Sequence, residues 1–450
     1  MGNNSKFNIQ NSIFYPKNTM LKQIFKKIVT TILEAEAKLV LRKYRPKIIA
    51  VTGSVGKTST KDAIFTVVGD ALVARKSAKS FNSEIGIPLT ILGCDNAWSN
   101  GFLWMKNIIK GALLVVTRVH YPKWLVLEVA SDKPGDIARV ASWITPDIAG
   151  VTRFGTVPVH VEFFKSPEEV FEEKANLVKA LRPSGMLIVN ADDERVLALR
   201  DKTKAKSITY GMNEGAMFRA SNVQIAYEDG SPVGTTFKLE YDGNVFPVTM
   251  RGVLGEQAVY SALASLALGA YLKLNIVDMV GRLSLHESPP GRMRVIAGIK
   301  GSTIIDDTYN SSPVAAEGAV SVLNNIKTKG KRIAVLGDML ELGKFTINEH
   351  KKLGQLVGSF ANLILAIGPR AKYIVEGAIE SDMNEKNVIE FDDARTAGKY
   401  LESIIGAGDI ILVKGSQGMR MERAVEEIMA EPENRTTLLV RQEEEWVARA

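Results

Sequence analysis

Cysteine is almost absent from this chain: Cys94 stands alone among 450 residues. That excludes an intramolecular disulfide and a zinc site built on cysteines, and it fits a reducing compartment, so the cytoplasm is the expected location. No uninterrupted apolar core with a small-residue cleavage site opens the sequence, so secretion is not expected. The most apolar stretch, residues 102–119, is broken by Lys106, Asn107, Lys110 and Arg118. A membrane span needs about 20 largely uncharged residues, so this stretch predicts a buried or membrane-grazing helix. No stripe of interleaved aromatic and basic residues suited to nucleic acid is present. The formal net charge of +7 comes largely from before residue 50, where Lys22, Lys26, Lys27, Lys38, Arg42, Lys43, Arg45 and Lys47 face only Glu34 and Glu36. Beyond that point the two signs of charge alternate. With 46% hydrophobic and 24% charged residues, the composition is that of an ordinary globular protein, and the length suggests about three domains.

What the chain does contain is a phosphate-loop pattern. Ile48-Ile49-Ala50-Val51-Thr52 is an apolar run that breaks at Gly53-Ser54-Val55-Gly56-Lys57-Thr58-Ser59 and restarts with helical spacing. Gly53 and Gly56 permit a backbone turn whose N–H groups point inward. Lys57 supplies a point charge for β- and γ-phosphates, and the Thr58 hydroxyl suits Mg²⁺. The loop is shorter than the full Walker pattern, since Val51 stands where that pattern has its first glycine. A nucleoside triphosphate is the expected ligand.

Strand and helix signals alternate along the rest of the chain, which indicates an α/β fold with a parallel, doubly wound sheet. Residues 1–19 read as loose. Residues 20–45 form a basic amphipathic helix, suited either to packing on the ATPase domain or to adsorbing on an anionic membrane. Together they make a first segment, 1–46, ahead of a central domain at 47–288. In that domain Trp124-Leu125-Val126-Leu127-Glu128-Val129 and Asp147-Ile148-Ala149-Gly150-Val151-Thr152 read as buried strands. A helix follows from about Pro167 to Leu181, and another from Glu256 to Leu272. Residues 216–250 alternate around Asp229-Gly230 and Asp242-Gly243 turns and predict a small antiparallel appendage. After Pro289-Pro290-Gly291 a second series of strands begins, giving a second α/β domain at 289–431 that closes over the first, with the site in the cleft between them. The acidic end, 432–450, reads as a solvated tail.

These motifs, taken in order, resemble the Mur ligases, ATP-dependent amide ligases of peptidoglycan synthesis. The resemblance rests on Thr52 through Lys61, on Asn82 with Glu84-Ile85-Gly86-Ile87-Pro88-Leu89-Thr90, on Leu127-Glu128 through Pro134-Gly135-Asp136-Ile137, and on His160. Ile305-Asp306-Asp307-Thr308-Tyr309-Asn310 with Pro313, Ala334 through Met339 with Glu341-Leu342-Gly343, and Val413-Lys414-Gly415-Ser416 extend it into the second half. It is strongest toward the member that adds D-alanyl-D-alanine to a muramoyl tripeptide. The chain departs from the family pattern at several places. Val55 replaces an Asn, Gln257-Ala258 replaces a His-Asn pair, and Ser261 replaces a further Asn, which bears on recognition of the adenine. Asn310-Ser311-Ser312-Pro313 replaces Asn-Ala-Asn-Pro, and Gln417 replaces an Arg. Only about 46 residues precede the loop, where the family carries a UDP-substrate domain.

The resemblance implies that a peptide carboxylate is phosphorylated by ATP and that an amine then attacks the acyl phosphate, giving an amide, ADP and phosphate. Lys57 would offset phosphoryl charge, with Thr58 and Glu128 as Mg²⁺ ligands and His160 helping to hold a second Mg²⁺. Lys174 would be carbamylated and bridge the metals. By the residues alone, Glu128 serves equally as one side of an ion pair, His160 as a solvated loop histidine, and Lys174, in Glu172-Glu173-Lys174-Ala175, as part of a solvated helix face. Arg292 and Asp306 resemble the family's cleft residues for phosphate or ribose, while Asn310, Lys414 and Ser416 would meet the substrates; hairpin or cap roles fit these residues too. The partners implied are a peptidyl precursor and a dipeptide amine, with the protein a monomer, no nucleic acid, and a peripheral membrane contact through 20–45 and 102–119 at the inner face. Ligases of the polyglutamate or cyanophycin type, or a non-catalytic nucleotide-binding homologue, are the alternatives.

Overall fold

The structure is a computed structural model describing residues 20–448 apart from 70, 78, 79 and 83, with side chains from residue 24 onward. The leader at 1–19, the side chains of Leu21 and Lys22, and Ser83 lie outside the described residues. Among the described residues, strands form two sheets. The first holds β1 (Lys47–Thr52), β2 (Ala74–Lys76), β3 (Trp124–Glu128), β4 (Ile148–Val151), β5 (Met186–Asn190), β6 (Lys206–Gly211), β7 (Phe218–Glu228), β8 (Ser231–Tyr241) and β9 (Asn244–Arg251), in the order β2-β3-β1-β4-β5-β6-β7-β8-β9. Strands β1 to β7 run parallel, and β8 and β9 return antiparallel. β1, β3, β4 and β5 are buried on both faces apart from Lys47, which is why each reads as an unbroken apolar run.

The segment at 216–250 forms the expected antiparallel hairpins and is joined to the main sheet at its edge. Tyr210 and Gly211 of β6 pair with Phe218 and Arg219 of β7, so the hairpins prolong the main sheet. Asp229-Gly230 and Asp242-Gly243 both sit at positive φ, 49° and 81°, then 51° and 74°, the backbone that a two-residue hairpin turn requires.

The second sheet has the order β10-β11-β15-β12-β13-β14, from β10 (Arg294–Ala297), β11 (Thr303–Asp307), β12 (Arg332–Gly337), β13 (Leu363–Ile367), β14 (Val388–Phe391) and β15 (Ile410–Lys414). Only β10 is antiparallel. In both sheets the chemistry collects at the carboxyl edge of the parallel strands. In the first it falls at β1, where connections leave to opposite sides toward β3 and β4, the crevice that doubly wound sheets use for ligands.

Helix α1 (Met20–Tyr44) packs on the first sheet through Val29, Leu33, Ala37 and Val40, which join Ile48, Ile87 and Leu125 in one core. Helix α2 (Lys57–Val68) leaves the phosphate loop, and α3 (Gly86–Leu92) is buried throughout. Helix α4 (Gly101–Val116) is not the buried helix its composition suggests: only Trp104 and Gly111 are buried, because one narrow edge suffices to rest on α1 and α3. Helix α5 (Asp136–Ala141) follows β3, and α6 (Pro167–Lys179) follows β4.

The acidic end does not float in solvent. Leu439 and Arg441 are buried, Arg441 donates to Glu422 at 2.5 and 3.0 Å and to the carbonyls of Thr308 and Tyr309, and Trp446 lies edge-on to Trp98. A buried guanidinium needs its acceptors held in place, and this one fastens the end of the chain to the turn after β11.

Candidate functional site

Gly53 has φ 141° and Gly56 φ 82°, and a Cβ added at either would lie 2.0 Å from Thr152 Oγ1 or 1.9 Å from Gln257 Nε2. Only glycine makes this turn. The N–H groups of Ser54 and Val55 do not point into the loop as expected; both donate to the Arg153 carbonyl, at 3.0 and 3.1 Å. The donors left for phosphate belong to the start of α2, at Lys57, Thr58 and Ser59, whose N–H groups have no intrahelical acceptor. Lys57 Nζ reaches the Ser54 carbonyl at 3.2 Å, and burial lowers its pKa, with Arg292 adding to the fall and Glu128 and Asp132 opposing it. Thr58 Oγ1 lies 2.9 Å from Ser80 Oγ and accepts from Arg292 at 3.3 Å.

At the tip of β3, Glu128 is buried and accepts from Asn82 at 3.0 Å through one oxygen, while its other oxygen has no partner. This leaves a buried carboxylate oxygen in search of a cation. It is one of seven such orphans at the loop: Thr52 Oγ1, Ser54 Oγ, Glu128 Oε2, Arg153 Nε, His160 Nδ1, Gln257 Nε2 and Arg292 Nε. Within the described residues only three further buried side-chain polar atoms lack a partner, on Glu36, Trp143 and Asn190. Acceptors and cationic donors concentrated at one place fit a phosphate chain with its metal. No group of three or more His, Cys, Asp and Glu side chains among the described residues forms a metal cage by itself, so phosphate oxygens would have to complete the coordination sphere.

His160 sits at φ 69°, with Nε2 3.2 Å from Asp132 Oδ1 and Nδ1 2.5 Å from Glu341 Oε2, the latter outside hydrogen-bond alignment. It is therefore held between two acids, not solvated. Lys174 is buried behind the wall of the cleft with Ser131 Oγ at 3.5 Å. Burial, and then the charge of Lys57, bring its pKa down to about 7. Its neighbours on the helix divide. Glu172 is exposed and pairs with Lys179 and Lys202, whereas Glu173 is buried and accepts from the N–H groups of Gly135, Ile137 and Ala138 at 2.6–3.1 Å. Glu173 thus caps α5 and fixes α6 in place, and Lys174 beside it points inward to Ser131 behind the cleft wall.

The second half contributes Arg292, whose guanidinium stacks 3.9 Å over the Tyr309 ring, and the carbonyl and side chain of Glu341. The cleft between the halves has a volume of about 810 Å³, and Asn310 and Ser416 line it. Asp306 and Lys414 do not. Both Asp306 oxygens are taken, by Gly291 N at 3.0 Å and by Thr308 N and Oγ1 at 3.2 and 2.6 Å, and burial raises its pKa to about 6. Lys414 is buried against Asp307 at 2.5 Å and the Asn310 carbonyl at 2.9 Å. These two residues hold the Pro-Pro-Gly turn and the Asn310 loop through these bonds. Sequence reasoning passed over Asp132 and gave Glu341 and Tyr309 no role beyond their motifs. The position of Asp132, in the loop after a site-bearing strand, was the available signal.

A family model described as the Mur ligase middle domain matches residues 51–269, and one described as Mur ligase, glutamate ligase domain, matches residues 291–417. The UDP-N-acetylmuramoyl-tripeptide--D-alanyl-D-alanine ligase of Bacillus subtilis (strain 168) is 28% identical over 403 residues, covering 89% of this chain and 80% of that protein. The enzyme of the same name from Mycobacterium leprae (strain TN) is 27% identical over 400 residues, covering 83% and 71%. The crystal structure of a MurF ligase from Thermotoga maritima in complex with ADP matches with a TM-score of 0.73 at 26% identity, over 90% of this chain and 84% of that one. MurF from Acinetobacter baumannii, at 23% identity, a TM-score of 0.72 and coverage of 88% and 79%, shares the fold.

Proposed function

The chain belongs to the Mur ligase family, and from that premise we propose that it joins D-alanyl-D-alanine to the free carboxylate of a UDP-N-acetylmuramoyl-tripeptide, using ATP, as the curated relatives are named to do. The observation that carries this reading is the convergence at one cleft of Lys57 and the orphaned Glu128 oxygen from the first half with Arg292 from the second, with the buried Lys174 amine close enough to feel the charge of Lys57.

ATP would lie with its phosphates on the N-terminus of α2. Lys57 and Arg292 place positive charge where the γ-phosphoryl leaves ADP for the donor carboxylate, and catalysis is then mainly positioning and charge compensation. Thr58 and Glu128 would hold one Mg²⁺, and His160 with a carbamylated Lys174 a second; bound there, the ions offset charge on the transferring group. Asn82 orients Glu128 by its 3.0 Å bond. Asp132 and Glu341 orient His160 from the two halves. The dipeptide amine attacks the acyl phosphate, releasing phosphate and forming the amide, and Asn310 and Ser416 lie on the wall that would meet the substrates. Residues 47–288 would act as the ATPase unit and 289–431 as the unit that closes on it, in a monomer working in the cytoplasm.

The test is ADP release by the purified chain with UDP-muramoyl-tripeptide and D-alanyl-D-alanine, each omitted in turn. Release that needs both partners, with the pentapeptide product seen by mass spectrometry, is expected. Release supported equally by a glutamate acceptor, or none with any pair, would overturn the assignment.

A further inference from the structure

We propose that the paired outer face of α1 and α4 docks this protein on an anionic lipid surface. The proposal rests on surface chemistry alone and is independent of the ligase reading. Along α4 the side chains of Phe102, Met105, Ile109, Leu113 and Val116 recur every three or four residues and are all exposed, Phe102 by 78% and Val116 by 76%. Sixteen helical residues extend this stripe over about 24 Å, and a contiguous exposed apolar stripe edged by polar residues marks an interaction surface. Helix α1 lies alongside: Lys43 Nζ caps the carbonyls of Leu114 and Val115 at 3.0 and 2.8 Å, and Glu36 sits under Gly111. It adds exposed Ile24, Phe25, Ile28 and Leu39.

The charges on this face have one sign. Lys27, Arg42, Lys106 and Arg118 are exposed, Lys110 turns its ammonium back to the Gly93 carbonyl, and α4 contains no Asp or Glu. The acids of α1 are withdrawn, Glu36 by burial and Glu34 by its bonds to Lys38 and Arg139 at 2.7 and 2.6 Å. The nearest exposed acid in sequence is Asp95, in the turn before α4. An apolar stripe edged by lysines suits the boundary between headgroups and acyl chains, where lysine stems cover apolar surface and their ammonium groups reach phosphates. A second copy of the chain is the poorer partner, because a two-fold contact would set these cations against one another. The helix would lie in the plane of the surface, since no helix among the described residues is long and apolar enough to cross a membrane. Lys26 and Glu34 of α1 also line the cleft, so a docked chain would open its cleft beside the lipid.

The test is flotation of the full chain with vesicles of phosphatidylcholine alone or mixed with phosphatidylglycerol. Binding to the mixed vesicles, reversed by salt, is expected. Each neutralised cation should cost about fivefold in partitioning, so K106Q/R118Q should bind about twenty-five-fold more weakly. I109S/L113S should lose binding to both compositions, and ADP release in vesicle-free solution should be unchanged in all variants. The charge variants alter only exposed side chains and keep the test open if the apolar pair misfolds. The proposal is overturned by failure to bind the mixed vesicles, by indifference to their charge, or by a dimer in light scattering that I109S dissolves. Binding that appears only after residues 1–19 are removed would assign the face to that segment instead.

Discussion

Replacing Lys174 by alanine tests the least ordinary part of the site. Its amine titrates near pH 7, against 10.5 for a free lysine, because it is buried and faces the Lys57 charge. That shift disfavours the ammonium by about 5 kcal/mol. At neutral pH about half the amines are then uncharged, where an exposed lysine would have about one in three thousand. A neutral amine attacks the carbon of CO₂ and loses a proton, and the product is an anion able to face a metal that an ammonium would repel. K174A should therefore lower ADP release by two orders of magnitude or more. K174R should be equally inactive, since a guanidinium does not form the carbamate. A short carboxylic acid added to K174A should restore part of the rate by supplying the lost anion. In the wild-type protein, ¹³C-enriched bicarbonate should give a carbamate resonance that is missing in both variants. The direction with pH follows from the shift: above pH 7 the amine is free to react, and as pH falls through 7 it protonates and the adduct is lost. Full activity of K174A in CO₂-depleted buffer, or a labelled resonance that survives the substitution, would refute the reasoning.

K57A removes the cation beside the phosphate loop and should reduce turnover by about 10²–10³, measured as ADP release at saturating substrates. R441A strips one partner from the buried Glu422, which keeps only Arg420 at 2.6 Å; chemical denaturation should show a loss of about 3 kcal/mol, and an unchanged midpoint would mean that the chain end is not fastened as described. His350 is buried, accepts from Met339 N at 2.9 Å through Nε2 and has Nδ1 2.7 Å from the Thr346 carbonyl, an arrangement for the neutral ring, and burial lowers its pKa from 6.5 to about 4. The unfolded chain binds this proton first, so stability is whole above pH 6.5 and declines by about 3 kcal/mol as pH falls to 4. Denaturation across that range should show H350Q losing less than the wild type.

The strands were legible because buried parallel strands leave little choice of residue: Ile48 to Val51, Leu125 to Leu127 and Ile410 to Val413 are apolar at every position. The loop was legible because Gly53 and Gly56 occupy backbone that no other residue fills. What the sequence could not display was which charges were already spent. Asp306 and Lys414 occur in motifs that also carry ligand-facing residues, and only the bonds to Gly291, Thr308 and Asp307 reveal them as supports. Glu443-Glu444-Glu445 reads as solvated because a run of like charge usually is, but Leu439 and Arg441 just before it decide the path. In Glu172-Glu173-Lys174 the helical rotation sends the first residue to solvent and the next two inward, a division that composition does not encode.

The charges in the cleft bear on how its two halves respond to nucleotide. Nearest the phosphate loop and His160, the second half places Arg292 and Glu341, while Arg441 and Glu443 line the cleft further along. In the structure the first two are engaged across the gap, Arg292 with Thr58 at 3.3 Å and Glu341 with His160, and Glu162 N donates to the Glu341 carbonyl at 3.2 Å. These contacts close the cleft on the residues of the first half alone. The same atoms are those a triphosphate and its metal would claim under the proposed roles, with Thr58 as the Mg²⁺ ligand and Arg292 reaching it at 3.3 Å. A bound nucleotide would therefore compete with the present contacts. The negative charge it brings would relieve the mutual repulsion of Lys57 and Arg292, which together with burial keeps the Lys57 pKa low. Closure with nucleotide bound would then rest on Arg292 meeting phosphate, and Glu341 would retain its hold on His160 from the same side.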